Sequence, residues 1–184
     1  MLVRNQTSTP RHVAPGPPPA RPPVRLRDAV AWLCWVVVVV AAGASVGVLF
    51  SPGAWYEGLA KPTWHPPSWL FGPVWTVLFT MMAIAAWLVW RAPAEPAARR
   101  WALGLFVVQL AANALWSWLF FAWQKGGWAF AEVLVFWVLI ALTCAAFWRI
   151  RPLAGALLLP YLVWVAFASY LNWVLWQANP AILG

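Results

Sequence analysis

Long apolar runs alternate along most of this chain with short segments that contain charged residues, proline or glycine. Each of the five runs is about as long as the roughly 20 helical residues that are needed to cross the hydrocarbon core of a bilayer. Only helices and closed barrels span membranes, and runs of this length and continuity are typical of helices. The pattern therefore predicts an all-α fold, an integral membrane bundle of five transmembrane helices, with spans at residues 28–50, 68–91, 99–123, 127–149 and 152–176.

The first 26 residues differ from the rest of the chain, because they contain proline runs such as PGPPP and show no apolar periodicity. A segment of this composition cannot bury enough apolar surface to order itself. The sequence therefore divides into a disordered, Pro/Arg-rich tail, residues 1–26, and a transmembrane domain, residues 27–184.

Basic residues are distributed unevenly among the segments that connect the apolar runs. If the N-terminus is cytoplasmic, all ten arginines lie on the cytoplasmic side, whereas the two lysines, Lys61 and Lys125, lie outside. Such an excess on the cytoplasmic side is the bias that orients membrane proteins. We therefore expect a multi-pass protein with a cytoplasmic N-terminal tail and an external C-terminus. The segment KPTWHPPSW, residues 61–69, then belongs to the first external loop.

Composition excludes several classes of protein. Because 64% of the 184 residues are hydrophobic and only 9% are charged, the chain is not an ordinary soluble domain. The net charge of +8 does not indicate a nucleic-acid partner, since the arginines lie at the edges of apolar runs and not along one solvated face. Cys34 and Cys144 lie inside apolar runs, so neither a disulfide framework nor a metal site is encoded. The lipid bilayer is the partner that this composition predicts.

Tryptophan is unusually frequent, with eighteen residues. Most lie near the ends of the predicted spans, where aromatic side chains anchor membrane proteins at the two interfaces. Four of them lie roughly 10 Å or more inside the bilayer by helical rise, namely Trp75, Trp116, Trp137 and Trp164. The aromatic belt does not explain these four, so they need another function.

Helical spacing places three of the deep tryptophans on stripes with other aromatic residues or with polar ones. The stripes are Phe71, Trp75, Phe79 and Met82 in the second run; Gln109, Asn113, Trp116, Ser117 and Phe120 in the third; and Tyr161, Trp164, Ala168, Leu171 and Asn172 in the fifth. Amides are costly when they face lipid, so the amides should point into the bundle, where they hydrogen-bond either to other helices or to a ligand. Aromatic walls with a few amides suit a flat apolar ligand.

Three ordered blocks then carry a resemblance to a known family: WYEGLAKPTWHPPSWLFGPVWTVLF, residues 55–79; QLAANALWSWLFF, residues 109–121; and PYLVWVAFASYLN, residues 160–172. On these blocks the sequence resembles the TspO/MBR family of tryptophan-rich sensory proteins. These are the bacterial relatives of the mitochondrial translocator protein, also called the peripheral benzodiazepine receptor.

The resemblance implies a homodimer in a bacterial cell membrane that binds tetrapyrroles, such as protoporphyrin IX and haem, and other flat hydrophobic molecules. Porphyrin or haem is then a ligand, and no resident cofactor or metal is required. The ligand-binding residues that the resemblance implies are Tyr56, Trp75, Asn113, Trp116, Trp164 and Ala168. The residues of a lid over the pocket are Lys61, Pro62, Trp64, Pro66 and Pro67.

Two ionisable residues have alternative interpretations. His65, beside Trp64, can in principle ligate haem iron, but a single loop histidine more often faces solvent, and we expect it to do so. Glu132 lies about two turns into the fourth run and can mark a proton path, yet no second intramembrane acid, histidine or lysine continues a relay. We expect Glu132 to snorkel or to pair locally.

Three functions stay open at this point, and the favoured one is a receptor or sensor that binds ligand without energy coupling and regulates porphyrin or stress responses. Transport of porphyrins is the second, although no inverted repeat is visible in the sequence. The interior offers no evident acid, base, nucleophile or metal for an enzyme. Light-dependent porphyrin degradation through Trp75 and Trp164, which the resemblance suggests, is the one catalytic alternative.

Overall fold

A computed structural model describes residues 54–184 and, from the preceding segment, residues 26, 29, 30, 33, 35–37 and 39. Within residues 54–184, the long helices are α1, Phe71–Trp90; α2, Pro96–Ser117; α3, Gly126–Ile150; and α4, Leu159–Ala178. Shorter helical segments connect or follow them: Ala54–Glu57, a 3₁₀ turn at Ser68–Leu70, a π-helical turn at Trp118–Ala122, Pro152–Ala156 and Pro180–Leu183. The all-α class is confirmed.

Within the described part of the chain, four helical segments are long and apolar enough to cross a membrane: Ser68–Trp90, Pro96–Ala122, Gly126–Ile150 and Pro152–Ala178. They confirm the last four predicted spans, and the largest difference is at the start of the third, predicted at residue 99 and observed at Pro96. The chain is a multi-pass integral membrane protein.

Most of the first predicted span, residues 28–50, and almost all of the tail, residues 1–26, lie outside the described residues. Those residues of the span that are described are helical, and Val39 is fully buried. The Trp35 ring packs edge-on against Phe106 of α2, with ring centroids 5.6 Å apart. These contacts place the described part of this segment against α2.

α3 lies between α2 and α4 and packs against both. Its buried side chains recur every three or four residues, as expected for a helix with one face in a core; they include Val133, Phe136, Ile140, Cys144 and Phe147. The Phe147 ring stacks on Phe106 of α2, with centroids 5.7 Å apart.

The start of α2 follows directly from local chemistry. α2 begins where the Glu95 carboxylate accepts hydrogen bonds from the backbone N–H groups of Ala97 and Ala98, at 2.9 and 2.7 Å. Pro96 occupies the first helical position, where its missing N–H had no partner in any case. The backbone hydrogen bonds lower the pKa of the Glu95 carboxyl.

The last predicted span, residues 152–176, is interrupted at Leu157 and Leu158. Pro160 lacks an N–H, and its ring would clash with the carbonyl of Ala156 in a continuous helix, so Pro152–Ala156 ends and α4 starts again at Leu159. Gly155 lets the shorter segment approach α3 closely, since a Cβ on Gly155 would lie 2.8 Å from the Trp148 Cβ. The interruption sets the direction in which α4 leaves the end of α3.

Candidate ligand-binding site

The segment before α1, residues 54–70, folds over one end of the bundle, and we call it the lid segment. Tyr56 is its buried centre, and the Tyr56 Oη lies 2.7 Å from the His65 Nε2. Burial, and to a smaller extent Glu57, raise the pKa of Tyr56 to about 12. The His65 ring is only partly exposed and also packs near Phe71, with centroids 6.0 Å apart. His65 was expected to face solvent; its ring is partly exposed and is also hydrogen-bonded to Tyr56.

Polar contacts brace the lid segment internally. The Lys61 Nζ donates to the Glu57 carbonyl at 2.8 Å, lies 3.6 Å from the Glu57 carboxylate and sits over the Tyr56 ring, 5.0 Å from its centroid. The Ser68 hydroxyl donates to the same carboxylate at 2.7 Å. These two donors lower the pKa of Glu57, and the larger effect comes from Ser68.

Proline-directed turns shape the rest of the lid segment. The His65 N–H donates to the Pro62 carbonyl, and the Leu70 N–H donates to the Pro67 carbonyl. Pro62 and Pro66 are half-buried, while Pro67 is exposed. Fixed proline φ angles limit the conformations of this loop.

Asn179, directly after α4, fastens the lid segment to the bundle, and the sequence analysis missed it. The Ala60 N–H donates to the Asn179 Oδ1 at 2.8 Å, and the Asn179 Nδ2 donates to the Ala60 carbonyl at 3.0 Å. The same Nδ2 donates to the Leu175 carbonyl at 2.8 Å. One buried amide thus satisfies both backbone groups of a lid residue.

A second attachment of the lid segment is aromatic. The Trp64 ring stacks on Tyr170 of α4, with centroids 5.4 Å apart and 13° between the ring planes. Its edge also meets Phe167, at 6.0 Å. The lid segment is therefore joined to α4 by both Asn179 and Trp64.

Beneath the lid segment, α1 meets α4 through two crossed pairs of rings. Phe71 of α1 lies edge-on to Trp164 of α4, with centroids 5.9 Å apart. One turn further into the bundle, Trp75 lies edge-on to Tyr161, at 6.1 Å, and stacks on Phe79 at 5.3 Å. The two predicted pocket tryptophans, Trp75 and Trp164, therefore border the same interhelical boundary, and both are half-buried.

Three of the other predicted pocket residues contact Tyr161 or Phe120. The Asn113 Nδ2 donates to the Tyr161 hydroxyl at 3.1 Å, so Asn113 and Trp75 share Tyr161 as a neighbour. Trp116 stacks on Phe120, at 5.4 Å, and Tyr56 meets the same ring edge-on at 6.4 Å. Ala168 is half-buried one turn beyond Trp164 on α4. Phe120 thus joins Tyr56 to Trp116, and Tyr161 joins Trp75 to Asn113.

The buried amides mostly join helices. Tyr161 donates its hydroxyl proton to the Gln109 Oε1 at 3.0 Å, which ties α4 to α2. Asn172 accepts from the Trp116 Nε1 at 3.0 Å and donates to the Gly126 carbonyl at 3.1 Å, which ties α4 to α2 and α3.

Trp137, the deep tryptophan outside the stripes, donates its Nε1 to the Leu162 carbonyl at 3.1 Å. Its depth is therefore explained by a link between α3 and α4.

Three buried polar atoms have no hydrogen-bond partner among the described residues: Trp55 Nε1, Gln109 Nε2 and Glu132 Oε2. The first two are N–H donors, and Gln109 is only 1% exposed. Glu132 was expected to snorkel or to pair locally, but this carboxylate oxygen is buried and unpaired. Buried donors without acceptors are costly, so the Trp55 Nε1 and the Gln109 Nε2 are candidate donors to an acceptor outside the described residues.

A groove of about 710 Å³ lies on the surface of α4, lined by Ala156, Leu159, Pro160, Val163, Trp164 and Phe167. Of the predicted pocket residues, Trp164 lines this groove.

Within the described part of the chain, no cluster of three or more histidine, cysteine, aspartate or glutamate residues could hold a metal ion. The described site therefore consists of aromatic rings, amides and hydroxyls.

Sequence comparisons identify the family of this chain. Residues 35–177 match the model of the TspO/MBR family. The chain belongs to the TspO/MBR family. It is 40% identical over 141 residues to the translocator protein of Homo sapiens, an alignment that covers 74% of this chain and 83% of that protein.

Two bacterial TspO/MBR relatives are similar over most of their length. The tryptophan-rich sensory protein of Cereibacter sphaeroides is 37% identical over 150 residues, covering 80% of this chain and 92% of that protein. Protein CrtK of Rhodobacter capsulatus is 36% identical over 143 residues, covering 78% of this chain and 89% of that protein. The TspO/MBR match includes α1 to α3 and nearly all of α4, and therefore all six predicted pocket residues.

Proposed function

We propose that this TspO/MBR protein is a membrane receptor that binds planar tetrapyrroles, such as protoporphyrin IX and haem, and other flat hydrophobic molecules between α1, α2 and α4. In this proposal the lid segment covers the site, and ligand binding regulates porphyrin or stress responses. The tetrapyrrole is the ligand, and no resident cofactor takes part.

The observation that carries this proposal is the combination of aromatic rings and an unpaired donor at one boundary. Phe71, Trp75, Tyr161 and Trp164 present ring faces and edges between α1 and α4. Gln109, hydrogen-bonded to Tyr161 through its Oε1, has no partner for its Nε2 among the described residues. A planar macrocycle with acceptor atoms at its rim can stack on the rings and accept from such a donor.

The names of the relatives, translocator protein and tryptophan-rich sensory protein, fit sensing and transport alike. Sensing is favoured because Asn179 and Trp64 hold the lid segment closed over a packed interior. Transport of porphyrins would require a path that opens on both sides of the membrane. Saturable, protein-dependent release of porphyrin from loaded proteoliposomes would favour transport.

Tryptophan fluorescence quenching by protoporphyrin IX tests the binding. Each aromatic contact contributes about 0.5–1.5 kcal/mol, so Trp75→Ala with Trp164→Ala should raise the Kd about tenfold or more. The matched control is Trp123→Ala with Trp128→Ala, since these two side chains are 55% and 72% exposed. An unchanged Kd in the variant that carries Trp75→Ala and Trp164→Ala would contradict the assignment of the site.

Light-dependent degradation of porphyrin is a second candidate activity, because Trp75 and Trp164 flank one boundary where a macrocycle would lie between them. Illuminated protein should then consume bound porphyrin. The consumption should disappear when both tryptophans are replaced by phenylalanine, which keeps the apolar rings in place. If this double variant consumed porphyrin under illumination at the same rate as the wild type, the activity would be excluded.

We also propose a homodimer in a bacterial cell membrane, with the N-terminus cytoplasmic and the C-terminus external. α2 presents an exposed stripe of Trp101, Gly104, Val108, Ala111 and Leu115. Among the described residues, no heavy atom lies within 4 Å of a Cβ built on Gly104, so a second helix can approach there closely. In a background without Cys34 and Cys144, oxidation of Ala111→Cys should yield a covalent dimer, and Val138→Cys on α3 should not.

A further inference from the structure

We propose that the ligand reaches the interior site sideways from the bilayer, through the groove on α4 beside α1, while the lid segment stays closed. This inference rests on the proposed function and concerns the route to the same site. The groove is the surface lined by Ala156, Leu159, Pro160, Val163, Trp164 and Phe167.

The groove has the size and lining of a binding surface for a flat apolar molecule. Its volume of about 710 Å³ falls within the roughly 300–1,000 Å³ typical of small-molecule sites. Every lining residue is apolar, and Trp164 and Phe167 contribute aromatic rings. Val163 is 69% exposed and Leu159 is 43% exposed, on a helix that is long and apolar enough to cross the membrane. These side chains therefore face lipid.

The groove is continuous with the candidate site through one residue. Trp164 lines the groove and also forms the ring pair with Phe71 that closes the boundary between α1 and α4. Both side chains are only half-buried. Rotation of these two rings would bring the groove next to the Trp75–Tyr161 ring pair, and no hydrogen bond between Phe71 and Trp164 opposes that rotation.

The lid segment is closed much more firmly. Opening it would break two hydrogen bonds between Asn179 and Ala60, and would separate Trp64 from Tyr170. The Tyr56–His65 hydrogen bond would also be disturbed. Opening the lid segment breaks these hydrogen bonds, whereas the lateral route moves two rings that share none, so the lateral route requires less structural disruption.

The chemistry of the groove favours the ligand as its occupant over a lipid acyl chain. Trp164 and Phe167 provide ring surfaces, at 5.5 Å from each other, on which a planar molecule can stack. The same rings lead directly to the site that is proposed to hold that molecule. A flat hydrophobic ligand also partitions into the bilayer. Its concentration is therefore higher in the lipid that the groove faces than in water.

Stopped-flow fluorescence on the full-length protein in lipid nanodiscs tests the route, with protoporphyrin IX as the probe. Val163→Trp fills the groove without altering a predicted pocket residue, and Leu159→Trp is a second, independent obstruction. The matched control is Val135→Trp on α3, where the side chain is 62% exposed. Asn179→Ala, which releases the lid segment, reports on the outer route.

We expect both groove variants to slow association and dissociation together, by about tenfold, with an unchanged Kd and with normal rates in Val135→Trp. Asn179→Ala should leave the association rate unchanged. Normal rates in both groove variants, or faster association in Asn179→Ala, would overturn the lateral route while leaving the binding site intact. Absence of saturable quenching in the wild type would instead overturn the proposed function together with this inference.

Discussion

The Asn179 side chain forms two hydrogen bonds with the backbone of Ala60, although the two residues are 119 positions apart in the chain. Asn179 is buried, and its third hydrogen bond, to the Leu175 carbonyl, fixes the amide relative to α4. The position of the lid segment is therefore set by the helix that also carries Trp164. α4 therefore contacts α1 through Trp164 and, through the Asn179 that follows it, also holds the lid segment.

Replacing Asn179 by alanine should release the lid segment. The Ala60 N–H would lose its acceptor, and leaving a buried donor unpaired costs about 1–3 kcal/mol. We expect faster amide hydrogen exchange across residues 54–70 and a lower Tm, both measured on the protein in detergent or nanodiscs. Gln177→Ala, at an exposed position two residues earlier, is the control and should leave both unchanged.

The hydroxyl group of Tyr161 should contribute strongly to stability. It donates to Gln109 and accepts from Asn113, so Tyr161→Phe leaves two buried amides with unpaired atoms. We expect a loss of about 1–3 kcal/mol in the free energy of unfolding. The same substitution at Tyr170, which is 54% exposed, should change it by less than about 0.5 kcal/mol. Equal effects at the two positions would argue against the buried network.

The helices of the described region were predictable because apolar run length and flanking prolines and charges determine their limits. Pro96 and Glu95 mark the start of α2, and Pro160 marks the break before α4 in a span that was predicted as continuous. Hydropathy alone did not show that break, because Leu157 and Leu158 are as apolar as their neighbours.

The candidate site was predictable to a smaller extent. Helical spacing correctly identified Gln109, Asn113 and Asn172 as buried, since amides avoid lipid. It could not show that Asn172 joins α4 to α2 and α3, or that Trp137 donates to the Leu162 carbonyl. Contacts with a distant backbone group, such as that of Asn179 with Ala60, leave no pattern in the sequence. The hydrogen bond of His65 with Tyr56, nine residues away, likewise leaves no pattern in the sequence.

Acidification should loosen the lid segment through His65. Burial, with a smaller contribution from Lys61, lowers the pKa of His65 from its ordinary value of 6.5, while Glu57 opposes the shift. The closed lid therefore favours the neutral ring, and its stability is full above the ordinary pKa and falls as pH drops from 6.5 through the lower, folded-state pKa. The Glu57 carboxylate, whose pKa is lowered from its ordinary value of 4.5, loses its contribution to stability only at a pH below that value.

We expect amide exchange in residues 54–70, corrected for intrinsic rates, to be faster at about pH 5 than at about pH 7.5. His65→Gln retains a polar side chain near Tyr56 but does not titrate, so the difference should shrink in this variant. An equally large pH effect in His65→Gln would show that another group is responsible.

Gly155 should be indispensable for the turn between α3 and α4. A Cβ at this position would lie 2.8 Å from both the Cβ and the Cε3 of Trp148 and 2.9 Å from its Cα. Because the Cα belongs to the backbone of α3, rotation of the tryptophan side chain cannot relieve the overlap. Gly155→Ala should therefore destabilise the protein by about 1–3 kcal/mol. The control is Gly72→Ala, since no heavy atom lies within 4 Å of a Cβ built there. Thermal unfolding followed by circular dichroism should give a lower Tm for Gly155→Ala alone, and an unchanged Tm would mean that Pro152–Ala156 can shift away from α3 at little cost.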